Sequence, residues 1–211
     1  MEESYFRNKR IQVIPNGIDI NTFCYQGNSI PLKYGIEAER KILLGVAAVW
    51  DDRKGLNDYI RLSKMLPAEY IIVLVGLTKR QISTLPSNVV GIERTNNQQE
   101  LAQLYSAAEI LLSLSKGETF GMTMAESYAC GTPCIVYDNT AQPEIVTPST
   151  GCVVRTGDIK GVCNAITEMV NCNFKKQHSA DCRNRAVELY DKDKSFGRYI
   201  ELYEELLSIS D

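Results

Sequence analysis

The chain contains one histidine, His178, and no Cys-x-x-Cys pair. A zinc site needs clustered cysteine or histidine ligands, and a Ser/His/Asp triad would have to use His178, so both are disfavoured. The seven cysteines are scattered along the chain and are odd in number. Disulfide frameworks belong to small secreted chains, so we expect reduced thiols in a cytoplasmic protein that binds no metal.

Long apolar runs and an excess of positive charge are also missing. No run reaches the roughly 18 residues that a membrane-spanning helix needs, and the charged start at Met1-Glu-Glu is unlike a signal peptide. The formal net charge of -3 disfavours broad contact with a nucleic-acid backbone. Neither Gly-x-Gly-x-x-Gly nor a phosphate loop ending in Gly-Lys-Ser/Thr occurs, which disfavours dehydrogenases and P-loop NTPases.

Short β-branched runs alternate with amphipathic helical stretches. The run Tyr70–Val75 is almost entirely apolar, as in a strand covered on both faces. The pattern predicts an α/β fold: a Rossmann-like three-layer domain with a mostly parallel sheet, followed by C-terminal helices. Such a sheet binds ligands beyond the carboxyl ends of its strands. We predict strands at 42–49, 70–75, 89–92, 109–113, 133–137 and 152–154, and helices at 55–66, 97–108, 121–130, 158–170, 175–190 and 193–209.

The chain divides by this pattern into an N-terminal extended segment at 1–30, the Rossmann-like domain at 31–195 and a final helix at 196–211. The final helix carries more apolar residues than one face needs. Plain core packing and a surface for a second domain both explain this surplus, and the pattern favours neither.

A candidate anion site lies between the predicted strand at 109–113 and the helix at 121–130. Gly117 and Gly121 permit close backbone approach, and amides around Phe120–Met122 would point at an anion along the helix axis. The carboxylates of Glu118 and Glu126 suit sugar hydroxyls, such as those of a ribose, better than a bare phosphate. The alternative is an ordinary helix start in which Glu118 only complements the helix dipole, and the spacing leaves both open.

A second candidate lies in Trp50-Asp-Asp-Arg-Lys-Gly55, again between a strand and a helix. Arg53 and Lys54 would be placed to neutralise a diphosphate there. A surface turn with a weak Asp/Arg ion pair is the better interpretation of this segment taken alone.

Several short motifs occur in a characteristic order along nearly the whole chain. They are Val13-Ile-Pro-Asn-Gly-Ile-Asp19 with Phe23, then Arg53-Lys54-Gly55, Glu118 and Glu126 with seven residues between them, Ala129-Cys-Gly-Thr-Pro133, and Pro143-Glu-Ile-Val146 with Gly151. In this combination the chain resembles the C-terminal, nucleotide-sugar-binding domain of a glycosyltransferase family 4 (glycosyltransferase group 1) protein with the GT-B fold.

The resemblance implies a retaining glycosyltransferase of the hexosyltransferase class, which moves a sugar from a nucleoside diphosphate sugar to an acceptor hydroxyl in polysaccharide or glycoconjugate biosynthesis. It implies neither a cofactor nor a metal, because cationic side chains and helix N-termini stabilise the departing diphosphate. The donor site is then formed by the 31–195 domain.

By position, the resemblance also assigns site residues. Lys54, aided by Arg53, would contact the diphosphate, and Glu118 would contact the donor sugar near its 3- and 4-hydroxyls. Glu126 would hold the ribose. The backbone of Phe120, Gly121, Met122 and Thr123 would meet phosphate, and the loop with Arg94 and Thr95 would pack the nucleobase. The family is thought to use a front-face route, so Glu118 is not expected to act as a nucleophile.

The chain departs from the family pattern in two respects. Ala48 stands where many members carry an arginine, so that Arg53 supplies the charge or the diphosphate is held more weakly. The chain also begins near the interdomain linker, and we expect an N-terminal acceptor domain to be missing. Its last helix would cross onto that domain, through which peripheral membrane attachment also remains an option. Alone, the polypeptide should bind donor weakly and transfer no sugar.

Three other functions remain open on the sequence. The chain could be a non-catalytic nucleotide-sugar-binding module that works with a partner chain, or a regulatory α/β domain without a ligand. It could also be a GT-B epimerase acting on a nucleotide sugar, although that reaction needs more acid/base groups than a single histidine supplies.

Overall fold

Six parallel strands form one sheet in the computed structural model, which describes residues 10–27 and 33–208. The strands are β1 (Lys41–Val46), β2 (Tyr70–Val75), β3 (Val89–Ile92), β4 (Ile110–Ser113), β5 (Cys134–Tyr137) and β6 (Gly151–Val154). They lie in the order β3-β2-β1-β4-β5-β6, and every neighbouring pair is parallel. The predicted parallel sheet is therefore confirmed.

Eight helices accompany the sheet in the described part of the chain. They are α1 (Leu56–Ser63), α2 (Lys79–Ile82), α3 (Gln98–Ala107), α4 (Met122–Ala129), α5 (Gln142–Ile145), α6 (Ile159–Asn171), α7 (Phe174–Leu189) and α8 (Lys192–Ser208). Successive residues of β1 point to opposite faces, so Leu44 packs with α3, α4 and α7 while Leu43 packs with α1 and α6. Two apolar cores, one on each side of the sheet, confirm the three-layer α/β fold.

The structure differs from the predicted elements mainly at their ends. The first strand stops at Val46 and not at 49, because the chain turns there and the Trp50 indole donates to the carbonyl of Val75 at 2.8 Å. Helices α2 and α5 were not predicted, since four residues are too few to show a helical period. Asn97 caps α3 by accepting from the backbone of Glu100.

The N-terminal segment packs against the C-terminal helices. Ile18 bridges to Asp191 between α7 and α8, and Lys192 pairs with Asp19 at 2.6 Å. Arg183 of α7 donates to the carbonyls of Ile20, Phe23 and Ala129. These contacts fasten the N-terminal segment to the domain, whereas its predicted boundary at residue 30 lies outside the described residues.

Helix α8 leaves its apolar side chains on the surface. The exposed ones are Phe196, Tyr199, Ile200, Tyr203, Leu206 and Leu207. The interpretation of this surplus as core packing is therefore wrong for the described residues. The helix begins at Lys192, and the division of the chain into three regions stays a prediction. In the described ranges no helix combines the length and the apolar character that crossing a membrane requires.

The strand order reverses direction between β1 and β4, so the loops that follow these two strands open side by side. They also touch. The amide of Lys116 donates to the carbonyl of Arg53 at 2.7 Å, and Gly55 adopts a positive φ of 76°. A β-carbon at Gly55 would lie 2.2 Å from the carbonyl oxygen of Leu114. Only glycine therefore lets the two loops approach this closely.

We expect Gly55→Ala to destabilise the protein by about 3 kcal/mol, from the positive φ and the collision with Leu114 together. Gly157→Ala is the matched control, because Gly157 has a φ of 80° but nothing within 4 Å of its added β-carbon. The control should cost about 1 kcal/mol. Urea unfolding measures the free energy of unfolding of both variants. Equal losses of stability would show that the collision with Leu114 adds nothing to the cost of a residue with a positive φ.

Candidate functional site

The turn after β1 separates the two predicted cations. A short 3-10 turn at Asp52–Lys54 is capped by Asp51, whose carboxylate accepts from the amide of Lys54 at 3.0 Å. Lys54 points into the crevice between the loops that follow β1 and β4. The Arg53 side chain is 62% exposed, and its guanidinium lies 3.8 Å from Asp51. Lys54 therefore belongs to the crevice, and Arg53 lies at its rim.

Lys54 forms an ion pair with Glu118, across 64 residues of sequence. Their side chains are 22% and 17% exposed, so water screens this pair less than it screens a surface pair. The two side chains most directly implied in donor binding thus meet each other at the carboxyl edge of the sheet. Each holds the other in place.

The loop after β5 supports the loop that carries Glu118. Gln142 is fully buried: its carbonyl oxygen accepts from the Ser113 hydroxyl at 2.6 Å, and its amide donates to the Ser115 carbonyl at 2.8 Å. Thr140 accepts from the amide of Glu118 at 2.8 Å. Sequence reasoning missed these two supporting residues, although polar residues directly after a buried strand were a signal for them.

Helix α4 begins at the same edge with a bare N-terminus. Gly121 precedes it with a φ of 89°, and no side chain caps its first amides. The ring of Phe120 packs edge-on against Tyr190, with the ring centroids 5.6 Å apart. The ring therefore has a packing role, and the backbone of Phe120 is the part that a ligand could contact. Met122 is exposed and Thr123 is partly buried in the first turn. The N-terminal end of α4 can therefore receive an anion beside the Lys54–Glu118 pair.

Glu126 lies further along α4 and is partly buried. Burial raises the pKa of its carboxyl group to about 7, while a hydrogen bond from the Tyr105 hydroxyl at 2.8 Å acts in the opposite direction. No Lys, Arg or His among the described residues forms an ion pair with Glu126. Its carboxylate thus has one polar partner and can accept further hydrogen bonds from hydroxyl groups.

Arg94 and Thr95 follow β3, two strands away from β1. Arg94 is exposed and Thr95 is partly buried. In residues 10–27 and 33–208 neither forms a hydrogen bond or ion pair with Lys54, Glu118 or Glu126. The structure places them on the same edge of the sheet but does not join them to the other predicted site residues. Ala48 also lies exposed in the turn after β1.

The described residues contain no group of three His, Cys, Asp or Glu side chains that could hold a metal ion. The seven cysteines are all unpaired. Burial raises the pKa of the Cys130 and Cys134 thiols to about 12, so both act as small core residues.

Comparison with known proteins identifies a matching family and related sequences. A family model described as "Glycosyl transferases group 1" matches residues 29–188. N-acetyl-alpha-D-glucosaminyl L-malate synthase from Bacillus anthracis is 26% identical over 210 residues, which cover 95% of this chain and 55% of that protein. The chain thus spans about half the length of the curated relatives it matches.

Solved structures show the same fold. Sucrose-phosphate synthase from Thermosynechococcus elongatus superposes with a TM-score of 0.84 at 23% identity, over 99% of this chain and 57% of that one. HepE from Anabaena, solved in complex with UDP-glucose, superposes with a TM-score of 0.78 at 20% identity, over 92% of this chain and 57% of that one. The α/β fold is confirmed by these structures as well as by the sheet itself.

The Lys54–Glu118 pair should show an interaction free energy of about 1 to 2 kcal/mol in a double-mutant cycle with Lys54→Met and Glu118→Gln. Urea unfolding of the four proteins measures it. Lys41–Glu69 is the control pair, because its side chains are 40% and 52% exposed at 2.8 Å. It should contribute a few tenths of a kcal/mol. A Lys54–Glu118 value no larger than that of the control would contradict the sheltered ion pair.

Proposed function

The chain belongs to the glycosyl transferases group 1 family, and we propose on this basis that it forms the donor half of a retaining, family 4 glycosyltransferase. It corresponds in this proposal to the C-terminal half of a GT-B fold. The donor is a nucleoside diphosphate hexose, and the acceptor is a hydroxyl group of a polysaccharide or glycoconjugate.

One observation carries this function: Lys54 pairs with Glu118 where the strand order reverses, and α4 begins with an uncapped N-terminus four residues after Glu118. A cation and a helix N-terminus suit a diphosphate, and a carboxylate beside them suits sugar hydroxyls. Glu126, further along the same helix, provides a second carboxylate for the ribose. This order of groups follows the order of parts in a nucleotide sugar.

The leaving diphosphate is stabilised in this proposal without a metal. Lys54 turns from Glu118 to the phosphate oxygens, and the first amides of α4 donate to them, so that negative charge developing on the diphosphate meets fixed positive partners. Arg53, at the rim of the crevice, adds charge from the solvent side. No cofactor takes part.

Glu118 orients the sugar in this proposal and forms no covalent bond to it. Its backbone amide donates to the Thr140 hydroxyl, and its carboxylate lies against Lys54. Pairing with an ammonium group lowers the nucleophilicity of a carboxylate but leaves lone pairs free for hydroxyl groups. Transfer with retention then follows a front-face route, in which the departing diphosphate accepts the proton of the acceptor hydroxyl.

The acceptor is bound by a separate half in this proposal. Relatives are about twice as long as this chain, and HepE was solved with UDP-glucose. The exposed apolar residues of α8 offer that half a contact surface. Arg94 and Thr95 are assigned to the nucleobase, which would extend along the carboxyl edge of the sheet toward β3.

Nucleotide binding tests the donor site directly. We expect the chain to bind at least one of UDP-glucose, GDP-mannose and ADP-glucose, which would raise its Tm. Lys54→Ala and Glu126→Ala should lower the affinity for both the nucleotide sugar and the matching nucleoside diphosphate about tenfold. Glu118→Gln should weaken only the nucleotide sugar, because Glu118 contacts the sugar. Isothermal titration calorimetry measures each affinity.

Lys64→Ala is the control for a lost positive charge, since Lys64 is exposed after α1, at the opposite edge of the sheet. It should bind both ligands as the unchanged chain does. Equal binding by the Lys54 and Glu126 variants would refute the site. Absence of binding to any of the three nucleotide sugars would support a regulatory domain without a ligand.

A further inference from the structure

Tyr105 of α3 faces Glu126 of α4 inside the domain. Its side chain is fully buried, its ring packs edge-on against Phe23 at 6.2 Å, and its hydroxyl donates to Oε2 of Glu126 at 2.8 Å. The backbone of Tyr105 is held as well, because the buried Thr132 hydroxyl donates to its carbonyl oxygen at 2.6 Å. Both ends of the residue are therefore fixed by the fold.

We propose that Tyr105 is a positioning residue of the donor site: its hydroxyl holds one oxygen of Glu126 so that the carboxylate is ionised and turned toward the ribose hydroxyls. This inference rests on the proposed function, which assigns Glu126 to the ribose. Tyr105 itself does not touch the donor.

The need for such a residue follows from the position of Glu126. A carboxylate offers about four acceptor sites, and a partly buried one without partners is costly to ionise. Tyr105 fills one site from the protein side, since its own ionisation is prevented by burial, which raises its pKa well above the usual range. A neutral hydroxyl donor therefore holds the carboxylate without neutralising it, and the remaining sites stay available.

The charged groups around Glu126 do not replace this bond. Glu100, at the start of α3, is engaged by Lys33 and Tyr34. Arg183 and Lys175 of α7 donate to backbone carbonyls. Cys130, at the end of α4, stays neutral because burial raises its thiol pKa to about 12. Among the described residues Tyr105 is thus the hydrogen-bonding side chain of Glu126.

Proton-linked donor binding is the consequence. Burial raises the pKa of Glu126 to about 7, so the carboxyl group is largely protonated in the free protein below that pH. The ionised form accepts hydrogen bonds from the two ribose hydroxyls more strongly than the protonated form, in which one oxygen has become a donor. Donor affinity should therefore rise about tenfold per pH unit up to pH 7 and level off above it. We call the pH at which the affinity levels off the break of the profile. Removing the Tyr105 hydroxyl removes the bond that favours ionisation of Glu126, which moves this break to higher pH.

The test measures the affinity of a nucleotide sugar between pH 5.5 and 8.5 by calorimetry. UDP-glucose, GDP-mannose or ADP-glucose is used, whichever binds the unchanged chain, and not a free nucleoside diphosphate, whose terminal phosphate titrates near pH 6. Tyr105→Phe keeps the buried ring. It should lower the affinity about tenfold at pH 7.5 and shift the break upward. Glu126→Gln should bind weakly at every pH.

Two control variants should keep the original affinity and break. Tyr128→Phe removes another buried hydroxyl, which lies on α4 but contacts the Cys134 sulfur at 2.9 Å. His178→Gln removes the only histidine, which is paired with Asp181 on α7. A break that disappears in His178→Gln would assign the titration to that histidine and overturn the inference.

The outcomes separate the inference from the proposed function. If no nucleotide sugar binds at any pH, both are overturned. If the unchanged chain binds and Tyr105→Phe has the same affinity and pH profile, only the role of Tyr105 is overturned. Should Tyr105→Phe fail to fold, the unchanged chain produced with 3-fluorotyrosine decides, because fluorine makes the Tyr105 hydroxyl a stronger donor to Glu126: a break at lower pH supports the inference, and an unmoved break overturns it.

Discussion

The close contact between the loops after β1 and β4 is the constraint on which the candidate site depends. The strand order brings these loops together, and Gly55 lets the first pass against the carbonyl of Leu114. Lys54 stands directly before Gly55, and Glu118 lies four residues beyond Leu114. Because the backbones of the two loops are in contact, the Lys54 and Glu118 side chains are close enough to pair. A site built from two loops thereby gains the rigidity of the sheet beneath it.

Buried polar groups fix the rest of the carboxyl edge. Gln142, the first residue of α5, cross-links the end of β4 to the segment after β5 through the oxygen and the nitrogen of its side-chain amide, and Thr132 ties the end of α3 to the segment before β5. A buried polar side chain is tolerated only where its partners are in place, so each of these residues specifies one loop arrangement. The family motif that contains Thr132 thus has a physical reason: it sets the backbone of Tyr105, which in turn meets Glu126.

Much of the fold could be predicted from local patterns, because a parallel sheet covered on both faces needs apolar runs such as Tyr70–Val75, and these are visible in a linear sequence. Glu118 and Glu126 were also visible, as a spacing within one helix start. Lys54 was assigned to the same site, but neither its pairing with Glu118 nor the pairing of Tyr105 with Glu126 was visible. Lys54 and Tyr105 come from other elements, and which helix faces which depends on the sheet order. Whether the apolar residues of α8 were buried or exposed likewise depended on the packing of other helices.

The Lys54–Glu118 ion pair bears on how tightly the proposed donor can bind. An empty site with a lone ammonium group and a lone carboxylate would be hydrated, and a ligand would have to strip that water. Here Lys54 and Glu118 satisfy each other, so in the proposed donor site a nucleotide sugar would exchange partners: phosphate oxygens would replace Glu118 at the lysine, and sugar hydroxyls would replace Lys54 at the glutamate. Hydroxyls are weaker partners than an ammonium group. In the proposed complex Lys54 would therefore gain stronger polar contacts and Glu118 would lose them. A diphosphate without a sugar would leave the Glu118 carboxylate without a partner. On this account the pair favours ligands that carry both groups over those that carry only one.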